Sequence, residues 1–196
     1  ENLNFDNAKL VKRIVLLVCM LSDKNEKYST KVMEQLIDKF YIIRAQAKFD
    51  DNIKHVIQEL CNSISSEKLF MEFATHLETH HDLSFRTELI ERLTLVIAAN
   101  PNYRTLRGIL MGKEKPEYAE TKEKLFFTLF KTWSYNPVST LTLCLLSRNY
   151  KLAYRLIMRF TLIEMDTAKL IALGGLVQLI ETPGFVNLRI ELTRQT

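Results

Sequence analysis

The sequence predicts an all-helical fold, either a HEAT/armadillo-like helical solenoid or a bundle of stacked helix pairs. Apolar residues recur at helical spacing, as at Val32, Leu36 and Phe40, and no stretch shows sustained strand-like alternation. Only five glycines and four prolines interrupt the 196 residues, so the tight turns that antiparallel sheets need are scarce. Hydrophobic residues make up 47% and charged residues 26%, which is usual for folded globular proteins.

The apolar periodicity predicts eleven helices joined by short connections. Their bounds are about 4–22, 28–48, 51–63, 66–80, 84–99, 101–111, 117–134, 137–147, 149–162, 166–181 and 184–193.

Three helix starts carry capping chemistry, at Asn100-Pro101, Asn136-Pro137 and Thr182-Pro183. An Asn side chain accepts from first-turn amides, and a proline in the first turn needs no amide donor. The three starts lie about 36 and 46 residues apart, close to the roughly 40–47 of HEAT or armadillo helix pairs. No repeat is legible at the level of residues.

We expect one helical domain over 1–196, with a flexible, charged connector at 111–117. The first residue is not methionine and no secretory signal follows, so the segment is expected to be part of a longer protein. The longest apolar run, Ile14 to Leu21, is far shorter than the roughly 20 residues that span a bilayer. Cys19, Cys61 and Cys144 are widely separated, which favours reduced thiols in a cytosolic protein.

Motifs that carry catalytic chemistry are absent, so neither an enzyme nor a cofactor is predicted. The chain has no Gly-rich phosphate loop, no G-x-S-x-G, no H-E-x-x-H and no paired C-x-x-C. A net charge of +4 does not imply nucleic acid. His76 and His80 lie one helical turn apart beside His81, which permits a metal site, but solvated polarity at a helix end is favoured because no cysteine is near.

A basic stripe is predicted on one helix. Its cations, at spacings of 3, 4 and 4, are Arg148, Lys151, Arg155 and Arg159. The opposite, buried side is expected to carry Leu152, Leu156, Ile157 and Phe160. The stripe suits acidic side chains of a partner or an anionic membrane surface, and an ordinary solvated ridge is an equally good interpretation.

Aromatic side chains cluster before the second Asn-Pro pair, at Phe126, Phe127, Phe130, Trp133 and Tyr135. Core packing is the default for such a group. An exposed Trp or Tyr would instead be a good interface anchor.

Three segments resemble one known family. They are LFFTLFKTWSYNPVSTLTLCLL at 125–146, NYKLAY at 149–154 and LVQLIETPGFVNLR at 176–189, with a looser similarity at 57–68. The family contains the scaffold ArPIKfyve of animals and a vacuole-morphology protein of fungi. This sequence departs from the family at Ala172 to Gly175, where an acidic residue and a lysine are usual, and Trp133-Ser134-Tyr135-Asn136 replaces W-C-H-N.

The resemblance implies a non-catalytic scaffold, of which this segment is the C-terminal phosphatase-binding region. The implied partners are a Sac-type phosphoinositide phosphatase and the PIKfyve-type lipid kinase, whose opposing activities set phosphatidylinositol 3,5-bisphosphate levels. Self-association into a homo-oligomer is also implied. The implied location is cytoplasmic, peripheral on endolysosomal or vacuolar membranes, with indirect membrane contact.

Motif membership and interface-favoured chemistry together select eight candidate partner-binding residues. They are Trp133, Tyr135, Asn136, Arg148, Tyr150, Arg155, Phe185 and Arg189. The alternative function is a peripheral membrane module that binds anionic phosphoinositides through the basic helix face.

Overall fold

The computed structural model describes residues 26–45, 49–61, 64–113, 118–160, 162 and 167–193. Within these ranges the chain forms ten α-helices and no strand, so the predicted all-helical fold is confirmed. The predicted helix at 4–22 lies outside the described residues. No helix among those described combines the length and apolar character needed to cross a membrane.

The helices follow one another with short connections. Their bounds are α1 Glu26–Ile43, α2 Phe49–Cys61, α3 Ser66–Thr79, α4 Leu83–Ala99, α5 Arg104–Met111, α6 Ala119–Trp133, α7 Pro137–Leu146, α8 Tyr150–Phe160, α9 Thr167–Ile180 and α10 Val186–Thr193. Short 3-10 segments at Pro101–Tyr103 and Pro183–Phe185 precede α5 and α10. The predicted helices at 101–111 and 184–193 therefore each begin with a 3-10 turn.

The chain separates into two compact units, 1–81 and 82–196. In the first unit α1 packs against α3, and α2 contacts both. Its core is built from fully buried side chains that include Phe40, Phe70, Phe73 and Leu77. Residues 114–117 of the predicted connector at 111–117 lie outside the described residues, and the expectation of one domain stays a prediction.

In the second unit α4 is the central helix. It contacts α6, α7, α9 and both 3-10 segments, while α7 also packs on α6, α8 and α9. The α4 residues Phe85, Leu89, Ile90 and Leu93 are fully buried, which follows from contact with neighbours on several sides.

Helix starts in this unit are capped by short polar side chains. Asn136 caps α7 by accepting from the Ser139 amide at 3.0 Å, and Asn100 accepts from the Asn102 amide at 3.0 Å. Both predicted Asn-Pro caps are confirmed. The Thr182 hydroxyl behaves differently, because it donates to the Leu179 carbonyl at 2.7 Å.

Candidate protein-interaction surface

Two arginines close the carboxyl ends of two helices in the second unit. Arg107 Nη1 donates to the carbonyls of Ile97 at 2.6 Å and Asn100 at 2.7 Å, at the end of α4. Arg189 Nη1 donates to the carbonyls of Ile180 at 2.5 Å and Thr182 at 2.9 Å, at the end of α9. Ile97 and Ile180 lie in the last turns of their helices, where carbonyls lack an amide partner within the helix, so each arginine satisfies one such acceptor. The Asn100 and Thr182 carbonyls also accept from the amides of Tyr103 and Phe185. Burial, and then the neighbouring Arg104 charge, lower the pKa of Arg107.

The arginine caps reveal a repeat at the level of residues that the sequence analysis missed. PNYRTLR at 101–107 and PGFVNLR at 183–189 share the pattern P-x-aromatic-x-x-L-R. The aromatic residues, Tyr103 and Phe185, are both buried under their 3-10 turns. Pro183 lies 82 residues after Pro101, which is about two helix pairs of the HEAT or armadillo type. Comparing the residues that follow Pro101 with those that follow Pro183 would have found this signal.

Three of the eight predicted contact residues lie inside the fold. Trp133 is 0% exposed, and its Nε1 donates to Thr94 Oγ1 at 2.8 Å. Phe185 is in the core, and Asn136 is the buried cap of α7. Their role in binding stays a prediction, and their contacts indicate that they hold helices together.

Two predicted tyrosines reach solvent from the turns around α7. Tyr135 is partly exposed, and the Arg86 guanidinium carbon lies 3.8 Å from the centre of its ring. This cation–π contact fixes the ring while leaving one side available. Tyr150 is the first residue of α8 and is similarly exposed.

Arg148 does not belong to the helical stripe in which the sequence placed it. Its φ is +59°, in the left-handed region, and α8 begins two residues later at Tyr150. Its amide donates to the Leu145 carbonyl at 3.2 Å, and the Asn149 amide donates to the Cys144 carbonyl at 2.9 Å. This pair of bonds is the Schellman motif that ends a helix, here α7. The predicted stripe of four cations is therefore wrong, and Lys151, Arg155 and Arg159 remain.

The opposite side of α8 is also less buried than predicted. Ala153 is its one fully buried residue, and Ile157 is 45% exposed. Leu152 and Leu156 are partly exposed, and they line a groove of about 500 Å³ together with Phe130, Tyr154, Arg155, Met158 and Arg159. The predicted separation of cations and leucines onto opposite sides is thus wrong for this helix, because both lie along one groove.

A second groove, of about 650 Å³, lies beside α9. Its wall on α9 includes Ile171, Gly174 and Gly175, and its opposite wall includes Leu95 of α4 and Val138 of α7. Ile171 is 72% exposed, although a helix as apolar as α9 is usually covered. Gly174 and Gly175, from the stretch that departs from the family pattern, line this groove.

The histidines at the end of α3 engage in pairwise contacts. His76 Nε2 lies 3.7 Å from a carboxylate oxygen of Glu72. The hydrogen bond from His76 lowers the pKa of the Glu72 carboxyl. The rings of His80 and His81 stack at 4.4 Å, with the Tyr41 ring 5.3 and 5.4 Å from them. Within the described part of the chain, no group of three His, Cys, Asp or Glu is placed to hold a metal ion.

Stacked helices with open apolar grooves define a class of helical segments that bind other proteins. Comparison with known proteins identifies the family. A family model described as "Vacuolar protein 14 C-terminal Fig4p binding" matches residues 46–196, and the chain belongs to this family.

Curated relatives come from two yeasts and a plant. The chain is 27% identical over 98% of its length to the vacuole morphology and inheritance protein 14 of Saccharomyces cerevisiae. It is 36% identical over 70% of its length to the VAC14 homolog of Schizosaccharomyces pombe, and 30% identical over 70% to that of Arabidopsis thaliana. The matches cover 21%, 16% and 18% of these relatives, so the chain spans about a fifth of their length. No solved structure matches the chain.

Proposed function

We propose that this chain is a non-catalytic scaffold segment that binds a Sac-type phosphoinositide phosphatase. The observation that carries the proposal is the match of residues 46–196 to a family described by Fig4p binding. We take Fig4p to correspond to the Sac-type phosphatase that the resemblance of residues 125–189 implies. The segment supplies binding surface, and the phosphatase supplies the chemistry.

The scaffold also brings the phosphatidylinositol-3-phosphate 5-kinase to the same assembly. Self-association of the scaffold increases the number of binding sites for these enzymes in one assembly. Two enzymes held on one support meet at a high effective concentration, of the order of millimolar for short flexible connections. The assembly thereby regulates both synthesis and removal of phosphatidylinositol 3,5-bisphosphate. A vacuolar or endolysosomal location is supported by the yeast relative, which is named for vacuole morphology and inheritance.

The geometry supports this function through a stiff arrangement of helices with open grooves. The Arg189 cap holds the turn after α9, next to Leu179 and Thr182 in the lining of the groove beside α9. Of the eight candidate contact residues, Tyr135, Tyr150 and Arg155 are exposed enough to touch a partner without rearrangement. Preorganised surfaces of this kind lose little conformational entropy on binding.

The test is direct binding of the purified chain to the purified phosphatase, measured by isothermal calorimetry and by light scattering on the complex. We expect a defined stoichiometry and no release of phosphate from phosphoinositides by the chain alone. An unrelated helical-repeat protein of similar size is the control. A chain that is helical by circular dichroism and does not bind the phosphatase would refute the proposal.

A further inference from the structure

A long part of the chain around α8 carries charge of one sign. Residues 124–163 contain six Lys and Arg and no Asp or Glu, although the whole chain is only +4. Three of these cations, Lys151, Arg155 and Arg159, are exposed on α8. Among the described residues that line the α8 groove, none is acidic. The described lining of the groove therefore carries two cations, Arg155 and Arg159, and no carboxylate.

We propose that the α8 groove binds an acidic amphipathic helix of the partner phosphatase. This inference rests on the proposed function, because it assigns the surface by which the scaffold contacts that protein. The occupant is defined by its chemistry: one row of apolar side chains beside one row of Asp or Glu.

The apolar part of the groove fits the row of apolar side chains on the partner helix. Tyr154 is 63% exposed, Met158 is also exposed, and Phe130 of α6 forms part of the wall. Tyr154 and Met158 are four residues apart and lie in one row on the helix surface. Aromatic residues and methionine are enriched in protein interfaces.

The cationic part of the groove fits the row of Asp or Glu on the partner helix. Lys151, Arg155 and Arg159 also repeat every four residues, directly beside the row of Tyr154 and Met158. A partner helix with acidic residues at the same spacing places each carboxylate opposite one cation. Guanidinium groups bind carboxylates through two parallel hydrogen bonds, which favours an ordered contact over diffuse attraction.

The shape of the site favours a protein over a membrane. A helix that binds lipid lies with its apolar side down on a flat surface, and its cations flank that side. Here the apolar and cationic rows border a concave groove whose wall includes Phe130 of another helix. A partner helix fills such a groove, whereas a bilayer surface spans it.

The test compares two sets of charge reversals in the 196-residue chain. The α8 variant is Lys151→Glu, Arg155→Glu and Arg159→Glu. The matched control reverses three exposed lysines elsewhere: Lys31→Glu, Lys54→Glu and Lys113→Glu. Both variants change the net charge equally, so a difference between them reports position and not total charge. Thermal unfolding by circular dichroism verifies that both variants fold.

We expect the α8 variant to weaken phosphatase binding by about 100-fold and the control by less than about threefold. A second variant, Tyr154→Ser with Met158→Ser, tests the apolar row and should weaken binding by about tenfold. Equal affinity of the folded α8 variant and the control overturns the inference.

A peptide tests the chemistry of the groove separately from the phosphatase. The probe is a helical peptide of about 20 residues with adjacent Leu and Glu rows at four-residue spacing, and its control is the same composition in scrambled order. Binding of the ordered peptide to the wild-type chain and not to the α8 variant supports the chemistry assigned to the groove. If the phosphatase itself then does not bind, the proposed function fails and the phosphatase is not the occupant. Equal binding of the ordered and scrambled peptides overturns the inference.

Flotation with phosphatidylcholine vesicles that contain phosphatidylserine tests the lipid alternative. Wild-type flotation that is lost in the α8 variant, together with unchanged phosphatase binding, would assign the groove to lipid and overturn the inference.

Discussion

Gly184 offers the sharpest test of how the second unit is packed. A Cβ atom built on Gly184 lies 2.3 Å from the Ala98 carbonyl oxygen and 3.1 Å from its carbonyl carbon. These are main-chain atoms of α4, so no side-chain rotation relieves the overlap, and the 3-10 segment at Pro183–Phe185 must move. Overpacking typically costs about 1–3 kcal/mol. We expect Gly184→Ala to lie near the upper end, because the same movement displaces the Thr182 carbonyl from Arg189.

The assay is urea denaturation followed by far-UV circular dichroism. With a slope of about 2–3 kcal/mol per molar urea, a loss of about 3 kcal/mol lowers the midpoint by roughly 1 M. Gly174→Ala is the matched control, because a Cβ there meets nothing within 4 Å and the residue lies inside α9. Replacing a helical glycine by alanine stabilises by up to about 1 kcal/mol, so the control should raise the midpoint. A Gly184→Ala midpoint at or above wild type would refute the described packing against α4.

The remaining predictions concern single contacts in the same unit. Trp133→Phe removes the hydrogen bond to the buried Thr94 hydroxyl and should lower the free energy of unfolding by about 1–3 kcal/mol in urea denaturation. An equal loss from Trp133→Phe in a Thr94→Val background would show that this hydrogen bond does not contribute to stability. Arg148→Gly should stabilise by about 1 kcal/mol, seen as a higher melting temperature, because glycine occupies the left-handed C-terminal position without a Cβ penalty. Burial raises the pKa of the Cys144 thiol from 9.0 to about 11. The pKa of the Cys144 thiol is higher in the folded state than in the unfolded state. The contribution of this thiol to stability is therefore present below the unfolded-state pKa, and it is lost as the pH rises through the folded-state pKa. In mildly alkaline solution, thiol reagents should modify the partly exposed Cys61 faster than Cys144, and equal rates would contradict the burial of Cys144.

The sequence predicted the helices well because their signals are local. Apolar periodicity and Asn-Pro caps depend on neighbouring residues, and both caps form as expected at Asn100 and Asn136. The 3-10 turns that begin at Pro101 and Pro183 were not predicted. Proline suits the first turn of a 3-10 helix as well as that of an α-helix, so the sequence does not distinguish them.

The candidate surface was harder to predict because exposure depends on distant contacts. The hydrogen-bond partner of Trp133 lies 39 residues away, so periodicity alone left open whether the indole was core or interface. Arg148 matched the helical spacing of the α8 cations, but spacing carries no information about a left-handed φ. Ile157 was expected to be buried and is not, because the helices of this unit cover only part of α8.

Residues that carry the family resemblance mostly hold the helices in place. Trp133 bonds to α4, Asn136 caps α7, Phe185 fills the core, and Arg189 closes α9. Substitutions at these positions should lower stability and binding together. Charge reversals on α8 should lower binding while the melting temperature stays near that of the control. Measuring both quantities on each variant therefore separates the residues that build the surface from those that contact the partner, a distinction that loss of binding alone does not make.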